Sequence, residues 1–240
     1  MSWGRSEMLQ ETYTRLSTII KKHSEPVIMT SYENWSPLYQ NHALVEPEYS
    51  IPLSCSVISS TVGFGDADYK KNADNISIIW ENMRIGRPSN SNNLFPKIGP
   101  VSWKEVPAFI SVNAEELSCE IPFLFAAVTS RMKIILQPFI DLQIPTFLHL
   151  FPFVDFSRFM EVRMTVMDGK VVDAQWQNIP KGTVPSQRCK DILAQLSVDL
   201  VRNSPMPNFY LDLCLDSRDA NAKPRLVEFN PLIPELKRGV

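Results

Sequence analysis

Two strand–turn–strand patterns in the second half of the chain limit its fold most tightly. The first is EVRMTVM, followed by the dipeptide Asp168-Gly169 and a returning strand from Lys170 to Gln175. Asp-Gly between apolar strands is a strong signal for a two-residue hairpin. The second pattern joins strands at 209–215 and 225–229 through the polar turn DSRDANAKP. With an amphipathic helix predicted over 186–202 between the hairpins, the order of elements favours an α+β fold.

Periodicity is clearest near the N-terminus of the chain and weaker in its middle. Residues 5–22 have apolar positions at helical spacing and a polar reverse face, which predicts a helix that either packs on the core or binds a partner. Apolar runs at Val57–Ile58, Ile76–Trp80 and Lys133–Phe139 predict short strands. The segment RPSNSNN, residues 87–93, has the composition of a loop and is predicted to be mobile.

Composition excludes several classes of protein. The 240 residues suit one large domain or two joined lobes. The net charge of −2 does not indicate general nucleic-acid binding, which requires a strongly basic surface. No apolar run approaches the roughly 18 residues of a membrane span, and the first residues lack the pattern of a signal peptide. A cytoplasmic protein is therefore expected. The four cysteines are scattered without a CxxC pair, which argues against zinc.

The second hairpin carries the strongest chemical signal. Strand alternation puts Glu228 and Asn230 on one face, and pairing around the turn can bring Asp212 opposite Glu228. Two carboxylates and an amide oxygen form the hard ligand set that magnesium prefers. Such a cluster repels itself without a cation, so replacing Asp212 is expected to relieve strain and to leave the fold intact. The alternative interpretation is the polar face of an exposed hairpin.

Arg163 is the second candidate, because it follows Glu161 at strand spacing and faces the same side. An arginine aimed at a carboxylate cluster can hold phosphate oxygens by a bidentate contact, and the alternative is a cross-strand salt bridge. Gly63 and Gly65 form a lone GxG, which is more typical of a turn than of a phosphate loop.

Four segments, taken in order, resemble the ATP-grasp superfamily. They are LFPKIGPVSWKEVPAFI, IILQPFIDL, MEVRMTVMDGKVV and YLDLCLDSRDANAKPRLVEFNP. More narrowly, residues 94–235 resemble the eukaryotic cell-division-cycle family of ATP-grasp proteins, which assemble translation initiation factor two. The last segment is the most specific, because the aspartate, the turn and the Glu-x-Asn-Pro ending match together. The apolar stretch QIPTFLHLFPFVDFSRF and the sequence Gln175-Trp176-Gln177 depart from the family pattern.

The resemblance implies two α+β lobes with ATP and magnesium bound between them. It implies a nucleotide-binding region over 94–240 and leaves residues 1–93 as an N-terminal lobe available for partner recognition. It also implies a role for each matched residue. Lys97 and Lys104 would contact phosphate, Gln137, Pro138 and Phe139 would line the adenine pocket, Asp141 would approach the ribose, Arg163 would contact phosphate, and Asp212, Glu228 and Asn230 would hold Mg²⁺.

Three functions follow from this resemblance. The first is a magnesium-dependent, ATP-binding assembly or regulatory factor that acts on a protein partner. The second is an ATP-dependent carboxylate–amine ligase, in which magnesium and Arg163 would stabilise phosphoryl transfer to a carboxylate. The third is a degenerate structural protein that kept the fold and lost ATP.

Overall fold

The protein folds into two compact units, each formed from two separate stretches of sequence. The computed structural model describes residues 3–62, 68–86, 89–219, 221–233 and 235, so the turn with Gly63 and Gly65 lies outside the described residues. The first unit comprises Met1–Ile28 and Pro47–Phe153, and the second comprises Met29–Glu46 and Val154–Val240.

Helices and strands alternate irregularly along the described chain, as expected for an α+β fold. The helices are α1 (Trp3–Lys22), α2 (Ser24–Met29), α3 (Pro37–His42), α4 (Cys55–Val62), α5 (Asp68–Gly86), α6 (Leu117–Ala126), α7 (Ser130–Asp141) and α8 (Gln187–Arg202). The strands are β1 (Tyr49–Leu53), β2 (Asn93–Ile98), β3 (Val101–Ser102), β4 (Val112–Asn113), β5 (Thr146–Pro152), β6 (Phe159–Met167), β7 (Lys170–Asn178), β8 (Phe209–Asp216) and β9 (Arg225–Pro231).

The first unit is built on an antiparallel sheet of strand order β1-β5-β2-β3, with β4 also paired to β2. Its inner strand β5 comes from the apolar stretch that departs from the family pattern, so this stretch is an integral part of the sheet. The division expected after residue 93 falls at the start of β2, inside this unit. The units are therefore divided differently from the expected lobes.

The helix predicted over residues 5–22 is confirmed as α1, which packs against α7. Ile19 and Ile20 are buried, and the Lys21 ammonium lies 3.3 Å from the Asp141 carboxylate. The C-terminal part of α1 therefore belongs to the core of the first unit. No single helix of the described residues is long and apolar enough to cross a membrane, although α6 and α7 together reach that length and composition with a 90° bend between them.

The strands predicted at Val57–Ile58, Ile76–Trp80 and Lys133–Phe139 are wrong, because these residues lie in α4, α5 and α7. In α7, the Thr129 hydroxyl accepts a hydrogen bond from the Met132 N–H and caps the helix. The side chains buried by α7 lie between Met132 and Phe139, about two turns of helix, and include the internal Pro138. A short apolar run fits a buried helix and a buried strand equally well, so periodicity could not separate them.

The segment predicted to be a mobile loop is anchored through the residues that are described. The Glu48 carboxylate accepts hydrogen bonds from the Ser89 hydroxyl at 2.7 Å and from the Asn90 N–H at 2.9 Å. Burial alone would raise the pKa of Glu48, but hydrogen bonds from Ser91, Ser89 and Asn90 outweigh it and lower the pKa. Arg87 and Pro88 lie outside the described residues.

The second unit contains a four-stranded antiparallel sheet of strand order β7-β6-β8-β9. Both hairpins predicted from the sequence are confirmed. Asp168 and Gly169 have φ values of 49° and 68°, the left-handed conformations that a two-residue type I′ turn requires and that glycine adopts readily.

One face of this sheet is apolar and packs against α8 and against residues 29–46. Trp35 and Tyr39 lie against Phe229, with ring centroids 5.4 Å and 4.7 Å away, and the Tyr39 hydroxyl donates a hydrogen bond to the Leu200 carbonyl at 3.1 Å. This short N-terminal stretch therefore completes the core of the second unit. The opposite face of the sheet carries the candidate site.

Candidate functional site

The predicted metal-binding residues converge on the polar face of the second sheet. The register pairs Asp212 with Glu228 across β8 and β9, as the sequence predicts, and it pairs Tyr210 with Asn230. On the other side of β8, Asp212 is opposite Arg163 of β6. Three neighbouring strands thus bring two carboxylates, an amide and a guanidinium together.

Arg163 and Asp212 form a bidentate ion pair at the centre of this cluster. The Arg163 Nε–H donates to Asp212 Oδ1 at 2.7 Å, and Nη2 donates to Oδ2 at 2.6 Å. The Asp212 side chain is fully buried, whereas that of Arg163 is 34% exposed. The hydrogen bonds to Asp212 raise the pKa of Arg163 further above its usual range, so it is charged at any physiological pH. The cross-strand salt bridge is therefore the state that this structure shows.

Arg163 also places a positive charge beside both carboxylates of this cluster. Its Nη2 lies 4.0 Å from Glu228 Oε1, and its guanidinium stacks over Tyr210 at 5.5 Å from the ring centroid. The single charge of Arg163 therefore offsets one of the two carboxylate charges. Part of the repulsion in this cluster is therefore offset by an arginine 49 residues away in sequence, and magnesium binding by the cluster stays a prediction.

The Asn230 amide bridges the two carboxylates. Its Nδ2 donates to Asp212 Oδ2 at 3.2 Å and to Glu228 Oε1 at 3.0 Å. An amide that donates to a carboxylate points its nitrogen, not its oxygen, into the cluster. To bind a metal through its oxygen, Asn230 would have to rotate its amide by about half a turn about the last side-chain bond.

The donor set is compatible with Mg²⁺ but is small. Within the described residues, no group of three His, Cys, Asp or Glu side chains is placed to hold a metal ion. The oxygens of Asp212, Glu228 and Asn230 are hard ligands, and magnesium commonly takes only one or two carboxylates from protein. Cys214 lies on the same strand, but burial raises the pKa of its thiol to about 12, so it stays protonated.

A polar concavity of about 370 Å³ opens beside Arg163. Gln175 is opposite Arg163 in the register, and Asp173 is opposite Thr165. The lining consists of Arg163, Thr165, Asp173, Gln175, Gln177 and Tyr210. None of the last five was predicted as a site residue, and Gln175 and Gln177 were noted only as a departure from the family pattern. Polar residues at alternate positions of β7 were a signal for a solvated, site-forming face.

The two lysines of the predicted phosphate site lie in the first unit. Lys97 is half-buried in β2, where it pairs with His149 of β5 and Ser102 of β3. Lys104 is exposed and follows Trp103, whose indole N–H donates to the Leu124 carbonyl at 2.8 Å. The buried Trp103 therefore fixes the backbone from which Lys104 projects.

The residues expected to line an adenine pocket are on a helix instead of a linker strand. Gln137, Pro138 and Phe139 all belong to α7, and the Phe139 side chain is fully buried. The Gln137 amide donates to the Asp141 carboxylate at 2.9 Å, a contact one helical turn apart that holds the pKa of Asp141 below its usual range. The predicted adenine-linker strand is therefore wrong, whereas the adenine and ribose roles of these residues stay predictions.

Comparison with solved structures identifies proteins that share this fold. Cdc123 from Schizosaccharomyces pombe is similar over 90% of this chain and 88% of its own, with a TM-score of 0.57 and 13% sequence identity. Its C-terminally truncated form gives the same coverage with a TM-score of 0.55 and 14% identity. No protein-family model matches the sequence, and no curated protein matches it either.

Proposed function

We propose that this protein is a magnesium-dependent, ATP-binding protein of the ATP-grasp type that acts as an assembly or regulatory factor for a protein partner. The observation that carries this proposal is the convergence of Asp212, Glu228, Asn230 and Arg163 on one sheet face. The fold shared with Cdc123 agrees with the sequence resemblance to factors that assemble translation initiation factor two. The partner would be such a translation factor or a protein of that kind.

The ion pair at the site provides a mechanism for coupling ligand binding to local rearrangement. A guanidinium that binds a carboxylate through two parallel hydrogen bonds can bind a phosphate in the same way. Arg163 would exchange Asp212 for a phosphate oxygen, and the freed carboxylate would join Glu228 and a rotated Asn230 amide in holding Mg²⁺. The bound metal would supply charge neutralisation at the phosphates.

Calorimetric titration of ATP, with and without magnesium, tests this proposal. We expect measurable heat only when both are present, because the carboxylates repel the triphosphate unless Mg²⁺ lies between them. Asn230→Leu should abolish most of this heat, since leucine has a similar volume but no oxygen. Negligible heat for the wild type under both conditions would refute the nucleotide-binding proposal and favour the degenerate structural protein.

A second measurement concerns the lysines. We expect Lys97→Ala and Lys104→Ala to weaken ATP binding by about tenfold each, roughly the value of one charge-assisted hydrogen bond, and to leave adenosine binding unchanged. A lysine on phosphate acts as a point charge and has nothing to contact on the nucleoside. Exposed Lys223 is the matched control, and its replacement by alanine should alter neither affinity. Equal losses of affinity for ATP and for adenosine would show that these lysines do not contact the phosphates.

The polar concavity beside Arg163 favours one further candidate, an ATP-dependent carboxylate–amine ligase. Its volume of about 370 Å³ is sufficient for a small polar acceptor close to the guanidinium. A ligase would release ADP when offered the correct carboxylate and amine. ADP release against a panel of amino acids, peptides and polyamines separates the two functions, because an assembly factor alone should turn over slowly with every pair.

A further inference from the structure

The second unit contains a larger concavity that is separate from the polar face. It lies between α8 and the apolar face of β6 and β7, and its volume is about 890 Å³. We call this concavity the groove. One of its sides is formed by β7, which is exposed along most of its length, and the other side is formed by α8. Val171 is 40% exposed and Val198 is 47% exposed, so apolar side chains from both sides are in contact with solvent.

Several of the residues that line the groove are small. The small residues Gly169 and Ala174 come from the β6–β7 hairpin, and Ala194 and Ser197 come from α8. Larger apolar side chains at these positions would close the space between helix and sheet. Trp176 supplies an aromatic wall at the end of β7 and is only partly buried.

All charged residues that line the groove in the described part of the chain are basic. They are Lys170, Lys190 and Arg202. Lys190 and Arg202 are twelve residues apart on α8, which places them about 18 Å apart along the helix axis. Lys170 and Trp176 are six residues apart on β7, which corresponds to about 20 Å of strand. The groove is therefore elongated, with positive charge at widely separated points.

We infer that this groove binds a short segment of a protein partner that carries apolar side chains in its middle and carboxylates towards both ends. The apolar side chains would cover the exposed valines and Trp176, and the carboxylates would meet Lys190 at one end and Arg202 at the other. The inference rests on the proposed partner-binding function but does not depend on nucleotide.

The spacing of the charges favours a peptide over a lipid. A fatty acid has one carboxylate and satisfies cations at one end only, whereas cations about 18 Å apart require carboxylates that are equally far apart. A peptide of about six extended residues spans that length. Burial of its apolar side chains would supply most of the affinity, and the charges would set its orientation.

The test uses a fluorescein-labelled synthetic peptide with glutamates at both ends and leucines at alternate central positions. Anisotropy is measured without nucleotide, so its outcome is independent of ATP binding. We expect saturable binding of this peptide to the wild type. Combining Lys190→Glu with Arg202→Glu should weaken the affinity about tenfold, because each reversed charge contributes roughly 1 kcal/mol or less. Val198→Asp should also weaken binding, because it places a carboxylate on the apolar wall. Thermal unfolding confirms that each variant is folded.

Arg188→Glu is the matched control, since Arg188 is exposed on the same helix but does not line the groove. It should leave the affinity unchanged. A second peptide with lysines in place of the glutamates should bind the wild type more weakly and the doubly reversed variant more tightly. Three outcomes would each overturn the inference. They are no binding of the acidic peptide to the wild type, equal binding of that peptide by the doubly reversed variant, and binding of oleate or phosphatidylserine vesicles in place of the peptide.

Discussion

Replacing Asp212 with alanine is expected to lower the free energy of unfolding by about 3 kcal/mol. Removing one member of a buried ion pair leaves the other without compensation, which typically costs about 3–5 kcal/mol. The lower end applies here, because the Arg163 side chain remains 34% exposed and water can reach part of it. Asn230 also loses one of its two acceptors. The sequence alone predicts that this substitution relieves carboxylate repulsion, whereas the ion pair with Arg163 predicts a loss of stability.

Urea unfolding followed by circular dichroism measures this effect, with Asp216→Ala as the matched control. Asp216 lies on the same strand and also pairs with an arginine, with Arg158 Nε 3.2 Å away. That pair is more exposed, with side chains 51% and 23% accessible, so its loss should cost less than about 1 kcal/mol. Similar losses for the two variants would show that burial of Asp212 contributes nothing.

A double variant separates the stability of the ion pair from its function. Arg163→Met together with Asp212→Leu replaces both charges by apolar side chains of similar length, and such replacements of buried pairs are often neutral or stabilising. We expect it to regain most of the stability lost by Asp212→Ala while showing no magnesium-dependent heat with ATP. Retention of that heat would mean that nucleotide binds elsewhere.

Phe229→Ala is expected to have an equal or larger effect on stability, about 3–5 kcal/mol. Phe229 is 3% exposed, and its ring meets those of Trp35, Tyr39 and Phe209 at centroid distances of 5.4, 4.7 and 5.3 Å. Truncation leaves a cavity at the point where residues 29–46 pack on the sheet. Because Phe229 lies between Glu228 and Asn230 in β9, the same variant should also lose the proposed magnesium-dependent binding of ATP.

Chemical unfolding again supplies the measurement, and two variants calibrate it. Phe229→Leu keeps most of the buried volume and should cost clearly less than alanine. Phe123→Ala removes a ring that is 62% exposed, so we expect a change within about 0.5 kcal/mol. A loss for Phe229→Ala no greater than that for Phe123→Ala would show that the aromatic cluster does not hold residues 29–46 to the sheet.

Local chemistry was sufficient to predict the two hairpins, the helix over 186–202 and the pairing of Asp212 with Glu228. Each depends on residues close in sequence, where turn type and side-chain alternation determine which positions face each other. The same locality explains why α1 was identifiable from its periodicity. It also explains the failures at α4, α5 and α7, whose short apolar runs contain no local feature that separates a buried helix from a buried strand.

Only the tertiary structure decided how distant segments combine. Pairing of β6 with β8 brings Arg163 onto Asp212, and no local pattern specifies that pairing, because an entire hairpin strand and α8 lie between them. The insertion of β5 into the first sheet and the packing of residues 29–46 on Phe229 are likewise contacts between remote segments. The sequence by itself determined which residues could form a charged cluster. Long-range strand pairing determined that a guanidinium offsets part of the negative charge of that cluster.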